Sequence, residues 1–206
     1  MPSSIPKRDI AGLILIGGRS QRMGRDKATL EIAGIPLWQR AIDILEPLVG
    51  MVFLVGSVPG FRPPAPFAHI ADDPPGLGPL GGIASGLERS GCQHHIVLAV
   101  DYPLVQSKLL LLLLEKSAGV RAVCGQGELY LEPLVGYYHA LCAPVMRAML
   151  SEGEIRTHRV FDRVPSHILT AEEYDAADPR RLSQINVNTP ADCDRVHALL
   201  ETRPTP

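Results

Sequence analysis

The sequence lacks the marks that would place it at once in several large classes of protein. It has only four cysteines, Cys92, Cys124, Cys142 and Cys193, and no C-x-x-C pair among them. That argues against a structural zinc site and against a dense disulfide framework, and points to free, mostly buried thiols in a reducing compartment. Charge of one sign is missing too. Twenty Lys and Arg face 22 Asp and Glu, a formal net charge of -2, so no surface for nucleic acid or anionic lipid is expected. Long hydrophobic runs are absent as well. The longest leucine run, Leu109 to Leu114, is bounded by Lys108 and Glu115, far short of the roughly 20 apolar residues of a membrane span. The opening MPSSIPKRDI has no apolar stretch of signal-peptide length. A soluble, cytoplasmic monomer is the expectation.

What is present fits a single α/β domain over residues 1–206, with 46% hydrophobic residues to bury. Apolar runs at Ile10–Ile16, Met51–Val55, Ile96–Val100 and Val120–Cys124 read as buried strands, with Pro133–Tyr138 and His167–Leu169 as further strands. Between them, Leu37, Ala41, Ile44, Leu45 and Leu48 share a helical face, with Gly50 as its stop. Gly82–Arg89, Ala140–Leu150 and Ile155–Val164 also read as helices. Gln106–Ser117, apolar all round, reads as a helix packed deeply against the sheet. The last helix is the best signalled: Thr189 suits the N-cap, Pro190 the first position and Asp192 the first turn. Alternating strands and helices imply a three-layer, Rossmann-like fold with a mostly parallel, mixed sheet. Ligands of such sheets bind beyond the strands' carboxyl ends.

The segment LILIGGRSQRMGRDKATL carries most of the information. Gly17 and Gly18 directly follow a strand, where bare backbone can approach a ligand and aim N–H groups at it. Arg19, Arg22, Arg25 and Lys27 follow, diluted only by Asp26. Such a loop suits a polyphosphate, although a basic glycine loop with no ligand meets the same pattern. It is not a Walker A loop, because Gly18 to Gly24 holds one residue too many and Arg25 stands where lysine belongs. It is not a dinucleotide fingerprint either, since Gly17-Gly18-Arg19 breaks G-x-G-x-x-G.

The pattern GG-x-S-x-RMG-x-DK after an apolar strand resembles the signature of sugar-phosphate and cofactor nucleotidyltransferases. It is most similar to the molybdenum cofactor guanylyltransferase family. The resemblance implies a nucleotide held by Leu15, Ile16, Gly17, Gly18 and Lys27, with Lys27 neutralising phosphate; Ile16 stands where the family usually has alanine. It also implies GTP and molybdopterin as substrates, and other cofactor-synthesis proteins and molybdoenzymes as partners.

Two acidic positions follow strands on the ligand side. Asp101 ends the run HHIVLAV before Tyr102-Pro103. A carboxylate there can take a Mg²⁺ ion delivered by a triphosphate, or it can simply serve the turn. By the resemblance, VDYP matches the family's metal-ligand motif, so Asp101 is the expected metal ligand. Asp72 and Asp73 precede a GPLGG turn. The resemblance places one aspartate of this stretch in the nucleotide site, and Asp72, directly after Ile70-Ala71, fits better. The glycine turn opens a helix whose free N–H groups favour anions, and it serves equally as a structural turn.

QINVNTPAD resembles the family's carboxyl-terminal motif. In an extended strand, Asn186 and Asn188 would put two amides on one face, toward a pterin or nucleotide. Thr189 is explained by capping alone. Arg156, Arg159 and Arg163 would share a helix face, either for an acidic second substrate or as a solvated surface. His94-His95 reads as an exposed strand edge, and Leu131-Glu132-Pro133-Leu134 loosely resembles a substrate-side segment. The implied reaction is transfer of GMP from GTP to molybdopterin with Lys27 and Asp101 as catalytic groups. Transfer from CTP to molybdopterin or to a sugar phosphate, a non-catalytic cofactor carrier and, more remotely, a dehydrogenase are the rivals.

Overall fold

The structure, a computed structural model, describes residues 5–17, 29–58, 60–127 and 130–201. Gly18, the arginines that follow it and Lys27 therefore lie outside the described residues.

Among the described residues, nine strands and six α-helices follow one another along the chain. They are β1 (Ile10–Leu15), β2 (Glu31–Ile32), β3 (Ile35–Pro36), α1 (Leu37–Leu45), β4 (Met51–Val55), β5 (Ala68–Ile70), α2 (Gly78–Arg89) and β6 (His94–Ala99). Then follow α3 (Ser107–Glu115), β7 (Ala122–Gln126), β8 (Leu131–His139), α4 (Cys142–Ser151), β9 (Ser166–Leu169), α5 (Ala171–Ala177) and α6 (Pro190–Glu201). Seven strands form one sheet in the order β5-β4-β1-β6-β8-β7-β9, and β8 alone runs against its neighbours. The expected mixed, mostly parallel sheet is what forms. β2 and β3 make a separate hairpin whose two turn residues, Ala33 and Gly34, both have positive φ (52° and 72°). That is the primed turn whose twist suits a two-residue loop.

The strands are continuous apolar runs because both faces of the sheet are covered. All six residues of β1 are buried. Gly12 faces Leu45 of α1 and Val49 beyond it, whereas Gly86 of α2 faces Leu13. Consecutive strand residues point to opposite faces, so α1 and α2 lie on opposite sides of β1. A β-carbon at Gly86 would come within 2.7 Å of Leu13 Cδ1, which is why a glycine-rich helix is needed on that side.

Several local expectations need correction. α1 ends at Leu45, ahead of Pro47, and not at Gly50. Gly50 instead lies against the Lys7–Arg8 backbone, where a β-carbon would be 2.7 Å from Arg8 Cα. α2 starts at Gly78, four residues before the expected Gly82, with Pro79 in its first turn, where a missing N–H costs nothing. α3 does bury Leu109, Leu110, Leu113 and Leu114, but Leu111 is 46% exposed. The segment expected as helix at Ile155–Val164 is a short 3-10 helix, Thr157–Asp162. His94 and His95 are not at an edge: β6 is central, and His95 is completely buried. Its Nδ1 faces the Tyr138 carbonyl oxygen at 3.2 Å and so must carry the proton, while the Ser90 hydroxyl donates to Nε2 at 2.6 Å.

The chain steps leftward from β1 to β4 and β5, then returns to place β6 on the other side of β1. The strand order therefore reverses between β1 and β6. A crevice opens at such a reversal, outside the carboxyl ends of the strands. Here those ends are Leu15 to Gly17 and Val100 to Asp101, held side by side by the Val100 N–H donating to the Leu15 carbonyl at 3.1 Å.

Candidate active site

A cleft of about 720 Å³ lies at this reversal point. Leu15 and Gly17 at the end of β1, Val55 to Val58 at the end of β4, Asp72, the start of α2, and Ala99 to Asp101 at the end of β6 form its walls, together with Leu134 of β8. Four expected nucleotide-site residues thus share one cleft: Leu15, Gly17, Asp72 and Asp101. Ile16 does not join them with its side chain. It is 2% exposed and belongs to the core, so it offers the cleft backbone only. Gly18 and Lys27 fall outside the described residues.

Asp72 sits among glycines. A β-carbon at Gly17, Gly56 or Gly82 would lie 3.8, 3.7 or 3.1 Å from its carboxylate oxygens. Gly56 was not singled out by the sequence. Its φ of +107° favours glycine, and a β-carbon there would come within 2.9 Å of the Gly17 nitrogen. The position repeats the logic of Gly17, a glycine straight after a buried strand, and that was the available signal. His69 Nε2 donates to the Gly56 carbonyl at 2.6 Å and pins this turn. Among the described residues, Oδ1 of Asp72 is buried and accepts no hydrogen bond. Burial pushes the Asp72 carboxyl above its ordinary range, with nearby His69 opposing the shift.

Asp73 is held differently. Its N–H donates to Ser85 Oγ at 3.2 Å, and its carbonyl accepts from Arg147 Nη1 at 2.6 Å. Arg147, on α4, also grips Glu88 at 2.6 Å. The turn between the two aspartates is thus locked from behind, and Asp72 is the one that lines the cleft.

Asp101 is half-buried, with its Oδ1 within the protein. Its carbonyl accepts from the Val187 N–H at 2.8 Å, which brings the carboxyl-terminal motif against the end of β6. Residues 185–188 form no strand, contrary to expectation, because this backbone pairs with a loop. The alternation survives: Asn186 is exposed, Val187 buried and Asn188 half-buried. The Asp192 carboxylate accepts from the N–H groups of Asn188 (2.9 Å) and Thr189 (2.7 Å), and the Asp192 N–H reaches back to Thr189 Oγ1 at 3.3 Å. This reciprocal cap is the helix start that Thr189-Pro190 advertised.

Next to Asp101, the buried Tyr102 donates its hydroxyl to Glu132 Oε2 at 2.8 Å. Burial pushes the Glu132 carboxyl up, the Tyr102 hydroxyl opposes this, and Asp101 adds to the rise. Sequence reading had no means of joining Tyr102 to a residue 30 positions away. By contrast, Arg156, Arg159 and Arg163 are taken up locally by Glu154, Asp162 and Glu152 at 2.5, 3.0 and 2.9 Å.

Residues 12–167 match the family model described as the MobA-like NTP transferase domain. A protein of Chloroflexus aggregans named a probable molybdenum cofactor guanylyltransferase is 32% identical over 200 residues, covering 94% of this chain and 96% of its own length. The molybdenum cofactor guanylyltransferase of Serratia proteamaculans is 29% identical over 191 residues, 91% of this chain and 93% of its own. Among solved structures, molybdopterin-guanine dinucleotide biosynthesis protein A from Archaeoglobus fulgidus superposes with a TM-score of 0.79 at 22% identity, over 94% of this chain and 100% of its own. The 2-C-methyl-D-erythritol 4-phosphate cytidylyltransferase of Thermus thermophilus has a TM-score of 0.68 at 16% identity, over 92% of this chain and 98% of its own. Both share the fold. Among the described residues no helix is long and apolar enough to cross a membrane.

Proposed function

We propose, from the premise that this chain belongs to the MobA-like NTP transferase family, that it transfers GMP from GTP to the terminal phosphate of molybdopterin. An oxygen of that phosphate bonds the α-phosphorus of GTP, the bond from the α-phosphorus to the bridging oxygen breaks, and pyrophosphate leaves with the electron pair. The nucleophile is already an anion, so no general base is needed and the protein's task is positioning and charge neutralisation.

The observation that carries this reading is the meeting of Leu15, Gly17, Asp72 and Asp101 on one cleft at the sheet's reversal point. Gly17 and Gly56 let backbone approach the nucleotide. Asp72, negative and aimed between glycines, suits N–H or O–H donors of the nucleoside and repels phosphate. Asp101 lines the cleft and supplies the hard carboxylate oxygen that Mg²⁺ prefers. When bound, the ion would offset the phosphates' negative charge. Lys27 is assigned the same task by its place in the loop motif.

Calorimetric titration with GTP and with CTP in Mg²⁺ tests the donor: GTP binding is expected, and CTP binding without GTP binding overturns the base assignment. Asp101→Asn is expected to abolish pyrophosphate release from GTP and molybdopterin. Unchanged release would refute the metal role. A wild-type protein that binds GTP but releases no pyrophosphate would be a carrier and not an enzyme.

A further inference from the structure

The residues on either side of Asp72 each give their carbonyl to an arginine. Arg89, the last residue of α2, donates from Nη1 to the Ala71 carbonyl at 3.2 Å. Arg147, on α4, donates from Nη1 to the Asp73 carbonyl at 2.6 Å. The Arg147 guanidinium is itself fixed by α2. Its Nε and Nη2 fork onto the Glu88 carboxylate at 3.0 and 2.6 Å, and Nη2 also reaches Ser85 Oγ at 3.2 Å. Ser85, fully buried, accepts the Asp73 N–H at 3.2 Å in turn. Ser85 and Glu88 are three residues apart on α2 and so share a face. A planar guanidinium can hold a carboxylate and a carbonyl at once in one fixed geometry, which a lysine ammonium does not do. Neither arginine lines the cleft. Nor does either set the charge of Asp72, where burial raises the carboxyl and His69 opposes the rise. What they fix is its place.

We infer that Arg147, with Arg89 as its lesser partner, is a positioning residue for the nucleotide. It holds the backbone of residues 71–73 so that the Asp72 carboxylate stays in the cleft, and it does so without touching the ligand. The inference rests on the reading above that a nucleoside triphosphate occupies this cleft. Left to itself, Asp72 would withdraw. Its Oδ1 is buried and accepts no hydrogen bond among the described residues, and a buried acceptor without a partner gains by turning out to water. Gly17, Gly56 and Gly82 around it have no side chains to bar the way. Rotation of the 71–73 backbone is one route out, and bonds to both adjoining carbonyls close it. The nucleotide then meets an acceptor already in place, so the ordering is done in folding and not on binding, which shows as affinity.

The test is calorimetric titration with GTP and Mg²⁺ of wild type, Arg147→Met, Asp72→Ala and the double variant. Arg147→Met keeps the aliphatic stem and removes every donor. It should raise the Kd for GTP at least fivefold, and raise the KM for GTP with the KM for molybdopterin within twofold. In the Asp72→Ala background the same change should move the Kd less than twofold, because there is no carboxylate left to position. Glu88→Gln loses the ion pair but leaves the Asp73 carbonyl to Arg147, so its Kd should stay within twofold of wild type. Arg89→Met, expected to raise the Kd two- to threefold, serves in the same cycle if Arg147→Met does not fold. An Arg147→Met protein that binds GTP like wild type overturns the inference, as does an equal loss with and without Asp72. A loss in Glu88→Gln as large as that in Arg147→Met would make the arginine a staple between α2 and α4, and also overturns it. If wild type takes CTP in place of GTP, the base assignment fails and the same cycle is read with CTP. A wild type that binds neither sinks the proposed function and this inference together, whereas one that binds while Arg147→Met binds equally well sinks this inference alone.

Discussion

The carboxylate of Asp72 occupies the space that a side chain at Gly82 would need: a β-carbon there would lie 3.1 Å from Oδ1, with Val55 and Leu15 behind it at 3.7 and 3.8 Å. A glycine inside a helix normally costs about 1 kcal/mol relative to alanine, so here helix stability yields to room for an acid. Gly82→Ala should therefore change thermal stability little, the better helix former offsetting the crowding. It should weaken nucleotide binding at least fivefold in calorimetry, because Asp72 is displaced. In a double-mutant cycle with Asp72→Ala the two losses should not add.

Asp72 also gives a pH signature. Its folded-state carboxyl titrates above the unfolded value because burial disfavours the charge. Its contribution to stability is therefore full below the unfolded value and is lost as pH rises through the folded one. Without nucleotide, Asp72→Asn should be more stable than wild type at pH 7.5, and the advantage should vanish near pH 3. Melting curves at the two pH values check this; a constant difference would rule it out.

His95 works in the opposite direction. Burial lowers its pKa to about 4, so the folded protein holds it neutral while the unfolded chain takes up a proton near pH 6.5. Stability should fall between pH 6.5 and 4, by about 3 kcal/mol from this group alone. Urea unfolding at pH 7 and pH 4.5 measures it. His95→Gln, whatever it costs at neutral pH, should show a shallower slope through that window.

The cap on α6 links folding to the asparagines expected on the acceptor side. Removing the Asp192 carboxylate frees the N–H groups of Asn188 and Thr189, and losing a helix cap costs about 1 kcal/mol. Asp192→Ala should lower Tm by a few degrees and raise the KM for molybdopterin more than that for GTP, since Asn186 and Asn188 are steadied by this cap.

Arg159 is neutralised by Asp162 at 3.0 Å and both side chains are exposed. Arg159→Ala should leave both KM values within twofold. A tenfold rise for the acceptor would return the arginine group to the site.

The parts legible in the sequence were those where one stretch of chain carries its own explanation. β1, β4 and β6 show as apolar runs because helices cover both faces, and Thr189-Pro190-Ala191-Asp192 caps a helix within four residues. The start of α2 was missed because Gly-Pro-Leu-Gly-Gly has turn composition. Its glycines answer to Asp72 and Leu13, contacts that no local pattern displays. α5 was missed because seven residues give too little periodicity, although Thr170 and Glu173 form a complete capping box. The reversed direction of β8 leaves no trace in its hydrophobic pattern. So Asp72 and Asp101 could be found as strand-end acids, while Tyr102, Glu132 and Gly56 needed the folded arrangement.

That reversed strand has a consequence for how the molecule could be altered. Among the described residues, those lining the glycine-rich end of the cleft come from residues 15–101, and Leu134 arrives later in the chain. The two contributions meet along the seam between β6 and β8. Grafting the β7–β8 hairpin of a related transferase onto this chain would replace the second contribution alone. On the proposed function, that seam would separate the choice of what is given from the choice of who receives it.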